Sequence, residues 1–294
     1  MKNVKMMMIL LGLITLLSSV ASLSGLLYSE VFGERLHVSV FDEQVQLKGT
    51  GLYKKDSVSV AAQGIASDFV TIVLAVPMLV ISAYFAFKGS FKGKLALTGT
   101  LGYFLYTYMS YTFLWMYNPL FLGYVALMSL SFYAFVLMMT SFDLNSIGSH
   151  FKASLPVKYL GGFQIFIGIM LLFLWLGKIV PTISYDDMLT VTAPVGLEHY
   201  TTLVIQGMDL GFIVPTAFLS GLAILNRKPI GYLLSSVVIF KAITMLTAIT
   251  AMMINMALSG VTVSPVEVTV FLAFDLLAAG ALIQLLRNVE SKPL

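Results

Sequence analysis

Eight long apolar stretches constrain this chain more than any other feature of its sequence. A helix needs about 20 apolar residues to cross a hydrocarbon core of about 30 Å. Because lipid offers the backbone no hydrogen-bond partners, stretches this continuous are predicted to be transmembrane helices. Only 11% of the 294 residues are charged, against roughly 25% in soluble domains. We therefore expect an all-α integral membrane protein with a single transmembrane domain over residues 1–294. The predicted spans are 6–27, 69–87, 95–116, 120–141, 159–177, 202–225, 230–257 and 266–286.

The distribution of basic residues predicts the orientation of these spans. With the N-terminus inside, eleven Lys and Arg residues fall in cytoplasmic segments and five fall outside. The positive-inside rule therefore predicts eight spans with both termini inside. Trp115 and Trp175 fall near the outer ends of their spans, where interfacial aromatics are expected. The inside set is Lys2, Lys5, Lys88, Lys92, Lys94, Lys152, Lys158, Arg227, Lys228, Arg287 and Lys292, and the outside set is Arg35, Lys48, Lys54, Lys55 and Lys178.

The first span has two interpretations. Lys2 and Lys5 precede an apolar core over 6–17, followed by small residues, which is the pattern of a secretory signal peptide cleaved near Ala21. The uncharged run continues to Tyr28, which is long for a cleaved signal. We expect an uncleaved helix, with cleavage as the alternative.

The longest loop, residues 28–67, is predicted on the outer face. Residues 35–41 alternate partly between apolar and polar, and Gly49 and Gly51 could close a turn, which favours a small β-hairpin. A loop of this length with its own structure is typical of a lid or a surface that docks a partner protein. A solvated connector is the alternative.

Two segments of the chain share an order of residues. Each has Gln-Gly, then Asp, Pro, a basic residue and Gly, and the Pro-to-Gly interval is sixteen residues in both. The pattern predicts a parallel 4+4 duplication with repeats over 1–143 and 159–290, although apolar helices also align by chance. Parallel repeats occur in transporters, whose sites lie at the repeat interface. The matched residues are Gln63, Gly64, Asp68, Pro77, Lys88, Gly93 and Tyr103 in the first segment and Gln206, Gly207, Asp209, Pro215, Arg227, Gly231 and Lys241 in the second.

Three charged residues within the predicted spans are the strongest functional signal. A charge at bilayer depth costs at least about 2.5–3.5 kcal/mol, so it normally faces a partner or a watery cavity. Lys241 lies ten residues past Gly231, which places it about 15 Å into its helix, near the midplane. Asp275 has a similar depth, whereas Asp209 lies in the outer third. We therefore expect a Lys241–Asp275 ion pair and an Asp209 that faces a cavity open to the outside.

Polar stripes extend this candidate site. Five residues of the sixth span, Thr202, Gln206, Asp209, Thr216 and Ser220, fall on one face at helical spacing. The third span carries tyrosines, and Thr244 shares a face with Lys241. A buried structural pair that fixes helix register is the alternative to a functional cavity. The candidate substrate- or ion-binding residues are Asp209, Lys241, Asp275, Gln206, Thr216, Ser220, Tyr103, Tyr106 and Thr244.

Several kinds of site are disfavoured by composition. The chain has no cysteine and three scattered histidines, which argues against disulfides, metal clusters and cysteine nucleophiles. A phosphate-binding glycine loop is also missing, so no built-in ATPase is expected. We expect no metal, no cofactor, no catalytic residue and no nucleic-acid partner.

Three motifs resemble a group of uncharacterised bacterial polytopic membrane proteins. They are GLYKKDSVSVAAQ at 51–63, GYFLYTYMSY at 102–111 and NPLF at 118–121, and the similarity runs over most of the chain. The resemblance implies a multi-pass protein of the bacterial cytoplasmic membrane and implies no activity.

Three classes of function remain after these exclusions. The first is a secondary transporter for a small solute, in which Asp209 or Asp275 titrates and Lys241 alternates between a carboxylate and an anionic solute. The second is a membrane-embedded enzyme acting on a lipid or quinone, with Lys241 as a Schiff-base nucleophile or even the attachment site of a retinal-type pigment. The third is a non-catalytic subunit whose outer loop docks a partner.

Overall fold

In the computed structural model, which describes residues 4–31, 36–183 and 193–290, the described chain forms eight long helices and one small hairpin. Each predicted span coincides with one helix. Seven of these helices are long and apolar enough to cross a membrane, so the fold is that of an all-α, multi-pass membrane protein. The helices are α1 Val4–Leu27, α2 Val58–Phe87, α3 Phe91–Phe113, α4 Phe121–Met139, α5 Val157–Ile179, α6 Val204–Leu225, α7 Pro229–Leu258 and α8 Pro265–Asn288.

Helix α3 is the long helix that falls outside those seven, although its 23 residues are enough to cross a bilayer. It packs against α2, α4 and α7, and buries most of its residues among them. Its polar side chains are satisfied within the protein; the Thr98 hydroxyl, for example, donates to the carbonyl of Lys94 at 2.8 Å. A helix surrounded by protein does not need the apolar surface that lipid demands.

The predicted start of the second span is wrong. Helix α2 begins at Val58 rather than at residue 69, so the outer loop ends at Ser57. The Ser57 hydroxyl accepts a hydrogen bond from the backbone N–H of Val60 at 3.1 Å and caps the helix. Polar residues such as Gln63 and Asp68 hid this first part of the helix from a search for apolar runs.

The outer loop contains the predicted hairpin. Strands β1 Leu36–Val38 and β2 Gln44–Gln46 are antiparallel, with Leu36 opposite Gln46. Its turn is closed by Ser39, whose hydroxyl accepts from two backbone N–H groups. The prediction of a turn at Gly49 and Gly51 is wrong in place: both glycines adopt positive φ (70° and 75°), but they lie beyond the hairpin.

Helices α2 and α6 share an unusual feature. Each contains a five-residue π-helical segment, Thr71–Ala75 in α2 and Asp209–Ile213 in α6. Each segment directly precedes a Val-Pro pair, with the prolines at 77 and 215. A proline cannot donate to the carbonyl four residues earlier and its ring crowds that carbonyl, which favours a widened turn just before it.

The corners that follow these two helices are also alike. Three backbone hydrogen bonds close the corner at Lys88, and three close the corner at Asn226. Adding 138 (226 − 88) to the residue numbers of each bond in the first corner gives a bond of the second corner. The next residue has positive φ in both cases, at Gly89 and Arg227. Beyond each corner a glycine, Gly93 or Gly231, lies so close to the preceding helix that a Cβ atom would meet its backbone.

The helices pack in two equivalent sets. In the first set, α1 and α3 each pack on α2 and α4. In the second set, α5 and α7 each pack on α6 and α8 in the same way. The two sets meet where α2 and α3 pack against α7. Gly99 allows a close approach there, because a Cβ atom would collide with Phe240.

Loops predicted on the same side of the membrane contact one another. At the outer end, the Tyr200 hydroxyl donates to the Asp56 carboxylate at 3.0 Å, and a ring nitrogen of His199 lies 3.1 Å from the carbonyl oxygen of Lys55. At the inner end, the backbone N–H of Lys152 donates to the carbonyl of Asn288 at 2.8 Å.

Candidate functional site

Asp209 lies where three helices converge. It is the first residue of the π-helical segment of α6 and is 9% exposed. The Tyr106 hydroxyl from α3 donates to its Oδ1 at 2.7 Å, and the Trp175 indole Nε1 from α5 donates to its Oδ2 at 2.9 Å. Two neutral donors thus hold the carboxylate, one on each oxygen.

Lys241 approaches the same site from α7. Its Nζ lies 4.1 Å from the centroid of the Tyr106 ring, the geometry of a cation–π contact. It also lies close enough to Asp209 for the two charges to interact. Among the described residues, however, the ammonium has no hydrogen-bond acceptor and no carboxylate within 4 Å.

The predicted ion pair between Lys241 and Asp275 is wrong. Asp275 instead accepts a hydrogen bond from the Thr250 hydroxyl at 2.5 Å, and its second oxygen is buried without a partner in the described part of the chain. Lys241 and Thr250 are nine residues apart on α7, which corresponds to opposite faces of the helix and about 14 Å along its axis. Depth counted along the sequence could not reveal which face of α7 meets α8.

The remaining predicted site residues are divided by the structure. Tyr103 is fully buried, and its hydroxyl lies 3.2 Å from that of Thr71. The Thr244 hydroxyl donates to carbonyls of its own helix. Gln206 and Thr216 are partly exposed on α6. The structure therefore brings together the side chains of Asp209, Lys241 and Tyr106.

Ser220 belongs to a separate interhelical network. Its hydroxyl donates to Oε1 of Gln164 at 2.5 Å, and Nε2 of Gln164 donates to the Ser235 hydroxyl at 3.0 Å. The three residues join α6, α5 and α7 and are 0–1% exposed. Gln164, an amide in the middle of an apolar span, was the sequence signal for this contact.

A second buried carboxylate lies in the first set of helices. Asp68 on α2 is 2% exposed, and its two oxygens accept hydrogen bonds from the hydroxyls of Tyr53 (2.5 Å) and Tyr111 (3.0 Å). Trp115, just beyond the end of α3, stacks on Tyr111 with 4.4 Å between ring centroids and is 9% exposed, so its ring packs against protein. We call Asp68, Tyr53, Tyr111, Trp115 and Tyr124 the tyrosine cluster.

A third carboxylate, Asp56, is buried in the loop that precedes α2, outside the membrane-spanning segments. Its Oδ1 accepts from the backbone N–H of Met116 at 2.9 Å and from the Tyr200 hydroxyl. Burial raises the pKa of Asp56 to about 7. Burial also raises the pKa of the neighbouring Glu198 and lowers that of His199. Sequence patterns gave no reason to single out these residues.

Comparison with known proteins gives no further constraint. No family model matches the chain, and no curated protein or solved structure gives a significant match. The argument for function therefore rests on the geometry of these sites.

Proposed function

We propose that this protein is a secondary transporter or permease for a small anionic solute, and that Lys241 is the group that binds it. The observation that carries this proposal is an ammonium group at bilayer depth with no acceptor for its three N–H donors among the described residues. Such a charge is costly, and in membrane proteins it normally marks a substrate or ion pathway.

The arrangement around Lys241 supports an anion in particular. Tyr106 and Trp175 already donate to both oxygens of Asp209, so the carboxylate can remain in place without a direct ion pair. The Tyr106 ring and the field of Asp209 offset part of the positive charge of Lys241. A solute carboxylate or similar group supplies the missing acceptors, and the charged hydrogen bonds that form are about twice as strong as neutral ones.

The proposed topology has eight spans with both termini inside, α3 being the eighth. The contacts of the outer loops with one another and of the inner loops with one another support it. A reporter fused after Lys152 is expected to give a cytoplasmic signal and one at Thr50 an outside signal. The reverse result at both positions would contradict the orientation, and cleavage near Ala21 would remove α1 from the count.

We also propose that the two helix sets are parallel repeats, 1–143 and 159–290, related by an axis along the membrane normal. The same 138-residue shift that relates the two corners carries Thr71 onto Asp209 and Tyr103 onto Lys241. Thr71 contacts Tyr103 in one set, and Asp209 interacts with Lys241 in the other. The site would then lie beside the repeat interface, as in transporters with this architecture.

A thermal-stability screen of the purified protein against solute libraries tests the transport proposal. An anionic solute at 100 times its Kd should stabilise the wild type by about 2.7 kcal/mol. Lys241→Met should abolish that stabilisation. The matched control is Lys88→Met, because Lys88 also lies over a tyrosine ring, 4.6 Å from Tyr84, but is exposed at a corner. Stabilisation retained in Lys241→Met and lost in Lys88→Met would contradict the assignment.

Uptake into vesicles then separates transport from binding. Proteoliposomes that contain the wild type should accumulate the stabilising solute when a proton gradient is imposed, and those with Lys241→Met should not. Binding without uptake would instead support a receptor or enzyme.

A further inference from the structure

We propose that Asp68 is a second functional site, which binds a proton taken up from the outer side of the membrane. The inference rests on the proposed transport function, in which this proton is the coupling ion for the solute held by Lys241. It deepens that function by assigning ion and solute to different helix sets.

The surroundings of Asp68 contain hydroxyl groups but no cation. The titratable groups that face it are all tyrosines, from every element packed against it: Tyr53 from the outer loop, Tyr103, Tyr108 and Tyr111 from α3, and Tyr124 from α4. Helix α1 contributes the uncharged Ser22 and Gly25. In the part of the chain that the structure describes, no lysine, arginine or histidine pairs with Asp68.

The packing excludes a larger ligand. A methyl group added at Gly25 would collide with Oδ2 of Asp68, and one at Gly64 would lie 2.7 Å from Nε1 of Trp115. Tyr53 and Tyr111, which donate to the carboxylate, are 1% and 3% exposed. A metal ion or an organic solute has no room in this packing. A proton needs none, and it removes the cost of a buried charge that lacks a partner.

An unpaired hydroxyl completes the site. The Tyr124 hydroxyl is buried and has no hydrogen-bond partner among the described residues, yet it lies beside the Tyr53 hydroxyl. When a proton binds Oδ2 of Asp68, the acid becomes the donor to Tyr53. The hydrogen of Tyr53 then turns to the oxygen of Tyr124, so one O–H bond forms on Asp68 and no other covalent bond changes.

The route to the outer surface passes Asp56. Tyr124 interacts electrostatically with both Asp68 and Asp56, so its hydroxyl is the group that would link the two carboxylates. Because the pKa of Asp56 is about 7, this carboxyl gains and loses protons near neutral pH. Asp56 is only 1% exposed and is held by Tyr200 of another loop, so it is suited to pass a proton between these loops and the tyrosine cluster.

Infrared difference spectroscopy of the full-length protein tests proton binding directly. As the pH is lowered, the wild type should gain carbonyl stretching bands of protonated carboxylic acids from Asp56 and Asp68, and Asp68→Asn should lack the Asp68 band. Asp143→Asn, which changes an exposed carboxylate held by Ser146, should keep the band. If Asp68→Asn does not fold, Tyr53→Phe keeps the carboxyl and should shift the band, since its frequency depends on that hydrogen bond. A spectrum unchanged in either variant would overturn the inference.

A second measurement separates this inference from the transport proposal. The pH dependence of solute-induced stabilisation should be present in the wild type and flat in Asp68→Asn, while Lys241→Met should bind no solute at any pH. An unchanged pH dependence in Asp68→Asn would overturn the coupling role, even if the band is assigned to Asp68. Failure of the wild type to bind any anion would instead contradict the transport function and leave the infrared assignment standing.

Discussion

The two helix sets place different chemistry at the same point of one framework. In the first set, Thr71 and Tyr103 form a neutral, fully buried contact; at the matching positions of the second set, Asp209 and Lys241 bring opposite charges together. The π-helical segments and the corners around these pairs are alike. The difference therefore lies in the side chains, which form a neutral contact in one set and a charged site in the other.

The first prediction concerns the charged pair, where the largest effect is expected. Removing one member of a buried ion pair typically costs about 3–5 kcal/mol; Lys241 and Asp209 interact without a direct ion pair, so we expect the lower end of this range. Lys241→Met and Asp209→Asn should each lower stability by this order, and the double variant should recover most of the loss. Chemical denaturation in detergent measures all three proteins.

A matched double variant makes this test specific. Lys241→Met combined with Asp275→Leu should show no recovery, because Asp275 contacts Thr250 on the opposite face of α7. If stability recovered in the double variant with Asp275→Leu and not in the one with Asp209→Asn, Lys241 would be paired with Asp275, and the contrast drawn between the two sets would fail. The equivalent change in the first set, Tyr103→Phe, removes a single neutral hydrogen bond and should cost only about 1 kcal/mol.

The second prediction extends the comparison to the carboxylates. Among the described residues, Asp56 and Asp68 of the first set pair with no cation, whereas Asp209 lies within the field of Lys241. The pKa of Asp56 is about 7 in the folded protein and about 3.9 in the unfolded chain. Between these pH values the folded protein therefore holds a proton on Asp56 that the unfolded chain does not. The stabilisation is fully present below about pH 4 and is lost as pH rises to 7, by roughly 4 kcal/mol at most. Asp56→Asn should flatten this slope.

The control for the pH experiment is Asp143→Asn. Hydrogen bonds from Ser146 and Asn145 hold the pKa of Asp143 below its usual range, so its own contribution changes only at lower pH. The slope between pH 4 and 7 should therefore remain. A wild-type slope in Asp56→Asn would remove Asp56 from the pH-sensitive part of the molecule.

The helices could be located from the sequence because a bilayer requires each helix that crosses it to be long and apolar. All eight predicted spans coincide with helices, including α3, whose protein-facing polar residues lower its hydropathy. The misplaced start of α2 shows the limit of that rule, since Ser57 caps a helix whose first part mixes polar residues such as Gln63 and Asp68 with apolar ones. Hydropathy indicates which helices can contact lipid, but it does not detect a polar helix face that is buried in protein.

The candidate site was predictable only in part. Asp209 and Lys241 stand out because charges are rare at this depth, but their pairing depends on helix rotation, which a sequence does not fix. Trp175 was expected to anchor α5 at the interface, yet its indole N–H donates to Asp209. Asp68 entered the repeat pattern without its tyrosines, because Tyr53 approaches from the outer loop and Tyr111 from another helix.

The third prediction compares accessibility along the two π-containing helices. Gln206 and Thr216 are partly exposed on α6, whereas Thr71 and Ser220 are 1% and 0% exposed. Single cysteines at 206 and 216 should react with small water-soluble thiol reagents. Cysteines at 71 and 220 should react at least roughly tenfold more slowly, since a buried site reacts only through local opening. The wild type has no cysteine, so there is no background. Equal protection at all four positions would indicate a dry, lipid-facing α6 and count against a solute site.

The last and smallest effect concerns the prolines that follow the π-helical segments. Replacing Pro77 or Pro215 by alanine restores a backbone N–H and removes the ring that crowds the preceding turn, so each helix can close a regular i to i+4 bond. Each change should raise stability by about 1 kcal/mol, the value of one net hydrogen bond.

The two proline variants should differ in their effect on solute binding. Closing the turn at Asp209 rotates that carboxylate away from Tyr106, so Pro215→Ala should weaken solute binding. Pro77→Ala alters only a neutral contact and should leave binding intact. Equal loss of binding in both variants would mean that both helices bend during the transport cycle, and the functional contrast between the two sets would fail.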